Sequence, residues 1–208
     1  MIHTRICDLL GIMHPIVVGG MRSATSASLD AAVSNGGGLG TLGASGMTAE
    51  QVRAEAKAIR AATEKPFAIN HLLFEVDEEG FAATLEARPA VIAFAWPHSN
   101  QDLHAYFQRA HDAGSKVMYM AGEVPQAVNA AQAGADVIVA QGTEGGGHVG
   151  WMASMSLVPM VVKAVAPLPV LAAGGIADGR GLAAALALGA DGVLLGTRML
   201  ATEESPLH

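Results

Sequence analysis

A single cysteine, Cys7, occurs in the 208-residue chain. That excludes a disulfide framework and a thiolate metal cluster, and it fits a reducing cytoplasm. Charge is also scarce, at 15% of residues, and aromatics make up only 4%. The 19 acidic residues outnumber the 12 basic ones, for a net charge of −7. This balance argues against nucleic acid or an anionic membrane as partner. Long apolar runs are missing too: the most apolar region, residues 160–173, is interrupted by Lys163, Pro167 and Pro169, so no membrane span is expected. Arg5 and Asp8 break the N-terminal stretch, which leaves no signal peptide. No His/Asp/Glu spacing suits a metal. The expectation is a soluble, cytoplasmic protein.

What is plentiful is apolar surface and glycine: 51% of residues are hydrophobic and 25 are glycine. That profile suits one domain, residues 1–208, with buried parallel strands. Short apolar runs at 16–20, 39–42, 66–70, 91–95, 116–120, 136–140, 169–173 and 192–195 read as eight strands. Seven helical stretches fall between them, one headed by the capping-box pair Thr48 and Gln51. Repeated βαβ units permit an open doubly wound sheet or a closed (β/α)₈ TIM barrel, and eight repeats favour the barrel. In a barrel, the C-terminal strand ends form the active face. The phrases Ala133-Gly134-Ala135-Asp136 and Leu188-Gly189-Ala190-Asp191 echo one another, each placing a glycine stop before a strand.

The stretch that stands out is QGTEGGGHVG, residues 141–150, directly after the sixth strand. Glycines there let backbone N–H groups approach a flat or anionic ligand. His148 is the one side chain in the stretch able to exchange a proton near neutral pH. Gly174-Gly175 after the seventh strand and Gly196-Thr197 after the eighth occupy the positions where barrels commonly bind phosphate.

These phrases, with PVLAAGGIADGRGLAAALALGADGVLLGT at 169–197 and KPFAIN at 65–70, resemble the nitronate monooxygenase family, once called 2-nitropropane dioxygenases. Flavin-type enoyl-acyl-carrier-protein reductases and some NADH:quinone reductases share much of the pattern. The resemblance implies an FMN-dependent (β/α)₈ barrel that oxidises alkyl nitronates or nitroalkanes with dioxygen to carbonyl compounds and nitrite. It implies that His148 is the catalytic base beside the flavin, and that Asn70 and Gln141 hydrogen-bond FMN. Gly146 and Gly147 would lie against the cofactor. Gly174, Gly175, Leu194, Leu195, Gly196 and Thr197 would hold its phosphate, and Gly20 and Met21 would pass near the isoalloxazine ring. Family members continue beyond this point with a closing helix, so the expectation is a shortened barrel, lacking its eighth crossover helix and left open. Gly145 replaces an alanine common in the family and is expected to loosen the loop.

Two alternatives stay open. One is an NAD(P)H-dependent flavin reductase acting on enoyl thioesters or quinones. The other is a non-catalytic flavin-binding remnant, or a scaffold completed by a partner or by a second copy of the chain. Among the other histidines, His71 and His98 fall just past strands and could face the mouth, though plain polar loop residues are the favoured reading. His3, His14, His104 and His111 lie outside the expected site. Glu144 either orients His148 or is a solvated loop carboxylate. Met118-Tyr119-Met120 reads as strand packing, and Arg180 as a surface arginine.

Overall fold

The structure, a computed structural model, describes residues 2–207. Its strands are β1 (Ile16–Val18), β2 (Gly40–Gly43), β3 (Phe67–Leu72), β4 (Val91–Ala95), β5 (Lys116–Ala121), β6 (Val137–Gln141), β7 (Val170–Ala173) and β8 (Gly192–Leu195). Between them run α2 (Ala27–Asn35), α3 (Ala49–Ala62), α4 (Glu78–Ala87), α5 (Leu103–Asp112), α6 (Val124–Gln132), α7 (Ser154–Val165) and α8 (Gly179–Ala187), and α1 (Arg5–Leu10) precedes β1. Every strand pairing is parallel, in the order β1-β8-β7-β6-β5-β4-β3-β2.

The two ends of that order also meet. Val17 bridges Leu39, the Val18 N–H donates to the Leu39 carbonyl at 2.9 Å, and the Leu39 N–H donates to the Ile16 carbonyl at 3.0 Å. The ring therefore closes as a (β/α)₈ barrel, correcting the expectation of an open one. Closure rests on hydrogen bonds between the first two strand segments, not on a helix after β8. After β8 the described chain turns into a 3₁₀ helix, Thr197–Ala201.

Strand alternation sorts the core. Val17, Ala68, Val91, Ala93, Met118, Val137, Val139, Leu171, Ala173 and Leu194 form one buried cluster inside the ring. Their neighbours Ile92, Phe94, Val117, Tyr119, Ile138, Ala140, Val170 and Val193 pack outward against the helices. Both faces of each strand are covered, which is why β4 reads VIAFA without a polar residue. The capping box at α3 forms as its spacing predicts, with the Gln51 N–H donating to Thr48 Oγ1 and the Thr48 N–H to Gln51 Oε1.

The sequence reading missed α1. It is six residues long and has no side-chain cap bond, so neither periodicity nor capping announces it. Its Ile6, Cys7 and Leu10 join the interior cluster and stopper the end of the ring where the strands begin. Arg5 holds it in place, donating to Asp191 Oδ1 at 2.5 Å and Oδ2 at 2.9 Å and to the Pro167 carbonyl at 2.6 Å.

Asp191 gives the echoed phrases a physical meaning. Its carboxylate accepts the Val170 N–H at 2.9 Å, and Asp136 accepts the Val117 N–H at 2.7 Å. In each case an aspartate at a strand's start ties off the first amides of the preceding strand, and a glycine with positive φ (Gly134, +103°; Gly189, +94°) makes the turn before it.

Helix α2 and strand β2 touch backbone to backbone at Gly40, where an added Cβ would collide with the Asp30 carbonyl and Cα. Neither main chain can yield cheaply, so Gly40→Ala is expected to cost about 3 kcal/mol, read as a lower urea midpoint. Gly179→Ala, whose methyl meets nothing within 4 Å, is the control and should leave the midpoint in place. Equal midpoints for the two variants would mean the close approach is not real.

No helix among the described residues is long and apolar enough to cross a membrane.

Candidate active site

At the C-terminal end of the ring the inward alternation delivers two amide side chains. Asn70 continues the inward series of Ala68 on β3, and Gln141 continues that of Val137 and Val139 on β6. Asn70 Nδ2 donates to the Ala93 carbonyl at 3.3 Å, and Gln141 Nε2 donates to the Gly146 carbonyl at 3.1 Å. Gln141 Oε1 is buried and has no partner. A buried acceptor left unpaired costs roughly 1–3 kcal/mol, so this atom calls for a donor.

Glycine-rich loops from four strands converge around these amides. A methyl on Gly20 would sit 2.6 Å from Asn70 Cβ, so the chain after β1 passes directly over that side chain. A methyl on Gly146 would lie 3.1 Å from Thr197 Oγ1, and one on Gly196 would lie 3.8 Å from Met21 Sδ. One on Gly174 would lie 3.1 Å from the Gly142 carbonyl and the Gly145 nitrogen. The loops after β1, β6, β7 and β8 are thus neighbours. Gly174 and Gly175 turn there with φ of +102° and +70°, values that a side chain would strain.

The His148 imidazole is exposed at the mouth. It lies between the Phe74 ring, 5.3 Å away between centroids, and the Trp96 indole, 5.8 Å away. Glu144 does not orient it. That carboxylate accepts from Ser154 N–H at 3.1 Å and from Ser154 Oγ at 3.0 Å, which staples the loop to the start of α7. Burial opposes its charge, yet hydrogen bonds from its own backbone N–H and from Ser154 outweigh that and hold its pKa below the usual range.

Several expected residues lie elsewhere or act differently. His71 points outward from β3 and is buried 3% exposed under α4, so it is neither at the mouth nor in a loop. Its Nε2 lies 2.8 Å from Thr84 Oγ1. Because the Thr84 hydroxyl itself donates to the Gly80 carbonyl, the ring must supply the Nε2 proton. Burial pushes the His71 pKa down to about 4. His98 is on the loop after β4, with Nε2 3.1 Å from the Phe74 carbonyl. The Leu194 side chain lies inside the ring, whereas Leu195 packs toward the outer layer, so only its main chain faces the loops. Gly147 turns with φ +72° in open space. Arg180 is a surface residue paired with Asp178 at 2.6 Å.

Gly145 sits where space is short. A methyl there would stand 2.7 Å from Gln141 Nε2, so glycine leaves room for the bond between Gln141 and Gly146. The residues that sequence reasoning missed are Phe74 and Trp96. The available signal was an aromatic residue just past each of two adjacent strands, in a chain with few aromatics.

A family model described as nitronate monooxygenase matches residues 3–208. A curated relative from Mycobacterium tuberculosis, (3aS,4S,5R,7aS)-5-hydroxy-7a-methyl-1-oxo-octahydro-1H-indene-4-carboxyl-CoA dehydrogenase, is 40% identical over 98% of this chain. The chain spans 57% of that relative's length. FabK from Thermotoga maritima superposes with a TM-score of 0.93 at 39% identity, covering 100% of this chain and 66% of its own. Nitroalkane oxidase from Streptomyces ansochromogenes gives 0.85 at 31% identity, covering 96% of this chain and 69% of its own. A parallel eight-stranded ring, a histidine on a glycine loop after β6, and a family match across nearly every residue agree: this chain belongs to the nitronate monooxygenase family.

Proposed function

We propose that this protein binds FMN at the mouth of the barrel and oxidises nitroalkanes, or the nitronates they form on ionisation, with dioxygen. The observation that carries the reading is the buried, unpaired Oε1 of Gln141 beside loops in which glycine is sterically required. A flavin ring presents an N–H to such an acceptor and a flat face to such loops. The residues present therefore fit the cofactor: Asn70 and Gln141 for the ring, Gly20, Met21, Gly146 and Gly147 along its surface, and Gly174, Gly175, Gly196 and Thr197 for the phosphate, with Leu194 and Leu195, whose main chain is paired in the sheet, carrying that last loop. Once bound, FMN would supply the electron transfer from substrate to dioxygen.

The chain's own contribution is placement and proton handling. His148 takes the α-proton of a neutral nitroalkane at an imidazole nitrogen. The single thiol, Cys7, is buried, which suits a reducing cytoplasmic setting.

A second reading is an NAD(P)H-dependent reductase. The likeness to FabK across 100% of this chain favours it. The visible spectrum of the purified protein separates the two. Flavin absorption that bleaches on anaerobic addition of a nitronate supports the oxidase reading. Absorption that bleaches only with NAD(P)H moves the assignment to the reductase. A colourless protein that takes up no FMN would overturn both.

Gly175→Val tests the phosphate end. The branched side chain would need φ near +70° and would stand 3.3 Å from Glu144 Cβ at its first carbon, in the loop assigned to the phosphate. FMN affinity is expected to fall at least tenfold, the equivalent of about 1.4 kcal/mol, by fluorescence titration. Wild-type affinity would place the phosphate elsewhere.

A further inference from the structure

A catalytic histidine is ordinarily oriented by a carboxylate or carbonyl that accepts from its second ring nitrogen. No hydrogen bond of that kind reaches His148 from the described residues, and the carboxylate on its own loop, Glu144, is committed to Ser154. The imidazole meets two tilted aromatic rings instead. The Phe74 ring lies 5.3 Å away at 60° and the Trp96 ring 5.8 Å away at 44°, within the range in which aromatic rings attract one another.

The supports of those two rings are braced together. The Phe74 N–H donates to the Trp96 carbonyl at 3.0 Å. His98 Nε2 reaches the Phe74 carbonyl at 3.1 Å, Gln101 Nε2 donates to the Leu73 carbonyl at 2.7 Å, and the His98 N–H donates to Gln101 Oε1 at 2.6 Å. The loops after β3 and β4 thus form one cross-linked platform. Trp96 is held at φ +54° immediately before Pro97. Residues before proline are normally extended, and a bulky side chain at positive φ is strained. The main-chain bond from Phe74 pins that conformation and with it the placement of the indole.

The histidine's own loop is seated with equal closeness. A Cβ on Gly122, after β5, would stand 2.9 Å from the Gly150 nitrogen and 3.5 Å from the Trp96 indole. Gly122 and Gly150 therefore meet backbone to backbone under the edge of Trp96, which fixes where the chain leaves His148.

We propose that Phe74 and Trp96 are positioning residues that clamp the His148 imidazole between aromatic faces and so replace the usual carboxylate orienter. The consequence for catalysis rests on reading His148 as the base. With no buried carboxylate at its back, the ring keeps both nitrogens available to substrate and mouth.

The test uses the FMN-loaded protein and two readouts. Ring ¹H and ¹⁵N signals of His148, assigned by their absence in His148→Ala, report its surroundings directly, because neighbouring aromatic faces displace them. Steady-state turnover of nitroethane reports the rate. Trp96→Leu should move the ring signals toward those of a free imidazole and lower kcat on the order of a hundredfold, with KM changing far less. Trp96→Phe, which keeps an aromatic face, should recover most of the rate and much of the signal displacement. Phe74→Leu leaves the strained Trp96 backbone alone and should act in the same direction as Trp96→Leu. Unmoved His148 signals in both leucine variants would overturn the clamp, as would equal losses in Trp96→Leu and Trp96→Phe. If the wild-type protein does not turn over nitroethane, the nitroalkane reading fails, while the ring signals still decide the clamp.

Discussion

His148→Ala is expected to lower kcat/KM for a neutral nitroalkane by about 10²–10⁴-fold, while bound flavin and the turnover of a pre-ionised nitronate survive. The two substrates differ by one proton, so only the neutral one needs a base. The structure predicts that the loss will be clean. The imidazole is exposed and makes no hydrogen bond within the described chain, so its removal leaves no buried group unpaired. Stability should therefore change by no more than about 0.5 kcal/mol. The comparison is direct: nitroethane and its pre-formed anion, on wild type and variant, with the flavin spectrum as a loading control. Equal losses on both substrates would assign His148 to binding the anion rather than to proton removal. Unchanged turnover on both would take it out of the mechanism.

How legible this protein is in its sequence depends on whether a feature is local. Strands β4 and β8 have the predicted bounds because a parallel strand covered on both faces is an unbroken apolar run. The capping box of α3 is equally local, since two residues three positions apart carry it. The loops after β6, β7 and β8 could be read because close backbone approach leaves glycine as its mark. What the sequence hides is set by contacts between distant residues. Helix α1 is too short for periodicity and exists because Arg5 reaches Asp191 and the Pro167 carbonyl. His71 sits one residue beyond Asn70, and that single step of strand alternation turns one side chain into the mouth and the other under α4. Closure of the ring depends on Leu39 meeting Val18 and Ile16, a pairing invisible in either segment alone. The aromatic neighbours of His148 come from the loops after β3 and β4, far from the glycine stretch that draws attention to the histidine.

Asp30→Asn is expected to stabilise the protein most at alkaline pH and several-fold less near pH 5. Asp30 lies on α2, fully buried, and neither carboxyl oxygen has a hydrogen-bond partner of normal geometry. Burial is the main cause that pushes its pKa up to about 8; the Thr41 main chain beside it offsets part of that, and the charge of Glu55 adds to it. An unfolded aspartate ionises near 3.8. Between those values the folded state holds a proton that the unfolded state has released, so stability falls as pH rises through that window. The accumulated loss is on the order of 5 kcal/mol by the time both states are ionised. Asparagine cannot ionise and removes that slope. His71 works in the opposite sense. Its folded pKa of about 4, against an ordinary 6.5, means that the unfolded state takes up a proton first, so stability is lost as pH falls from about 6.5 toward 4. From about pH 4 to 6.5 the two slopes are opposite and nearly cancel, so these two groups together leave wild-type stability almost flat there, and it falls from pH 6.5 to about 8, where only Asp30 acts. Urea midpoints at pH 5 and pH 9 test the assignment. A gain for Asp30→Asn that is several-fold larger at pH 9 than at pH 5 supports a neutral carboxyl between α2 and β2. The same difference at both pH values would show that Asp30 ionises normally in the folded protein.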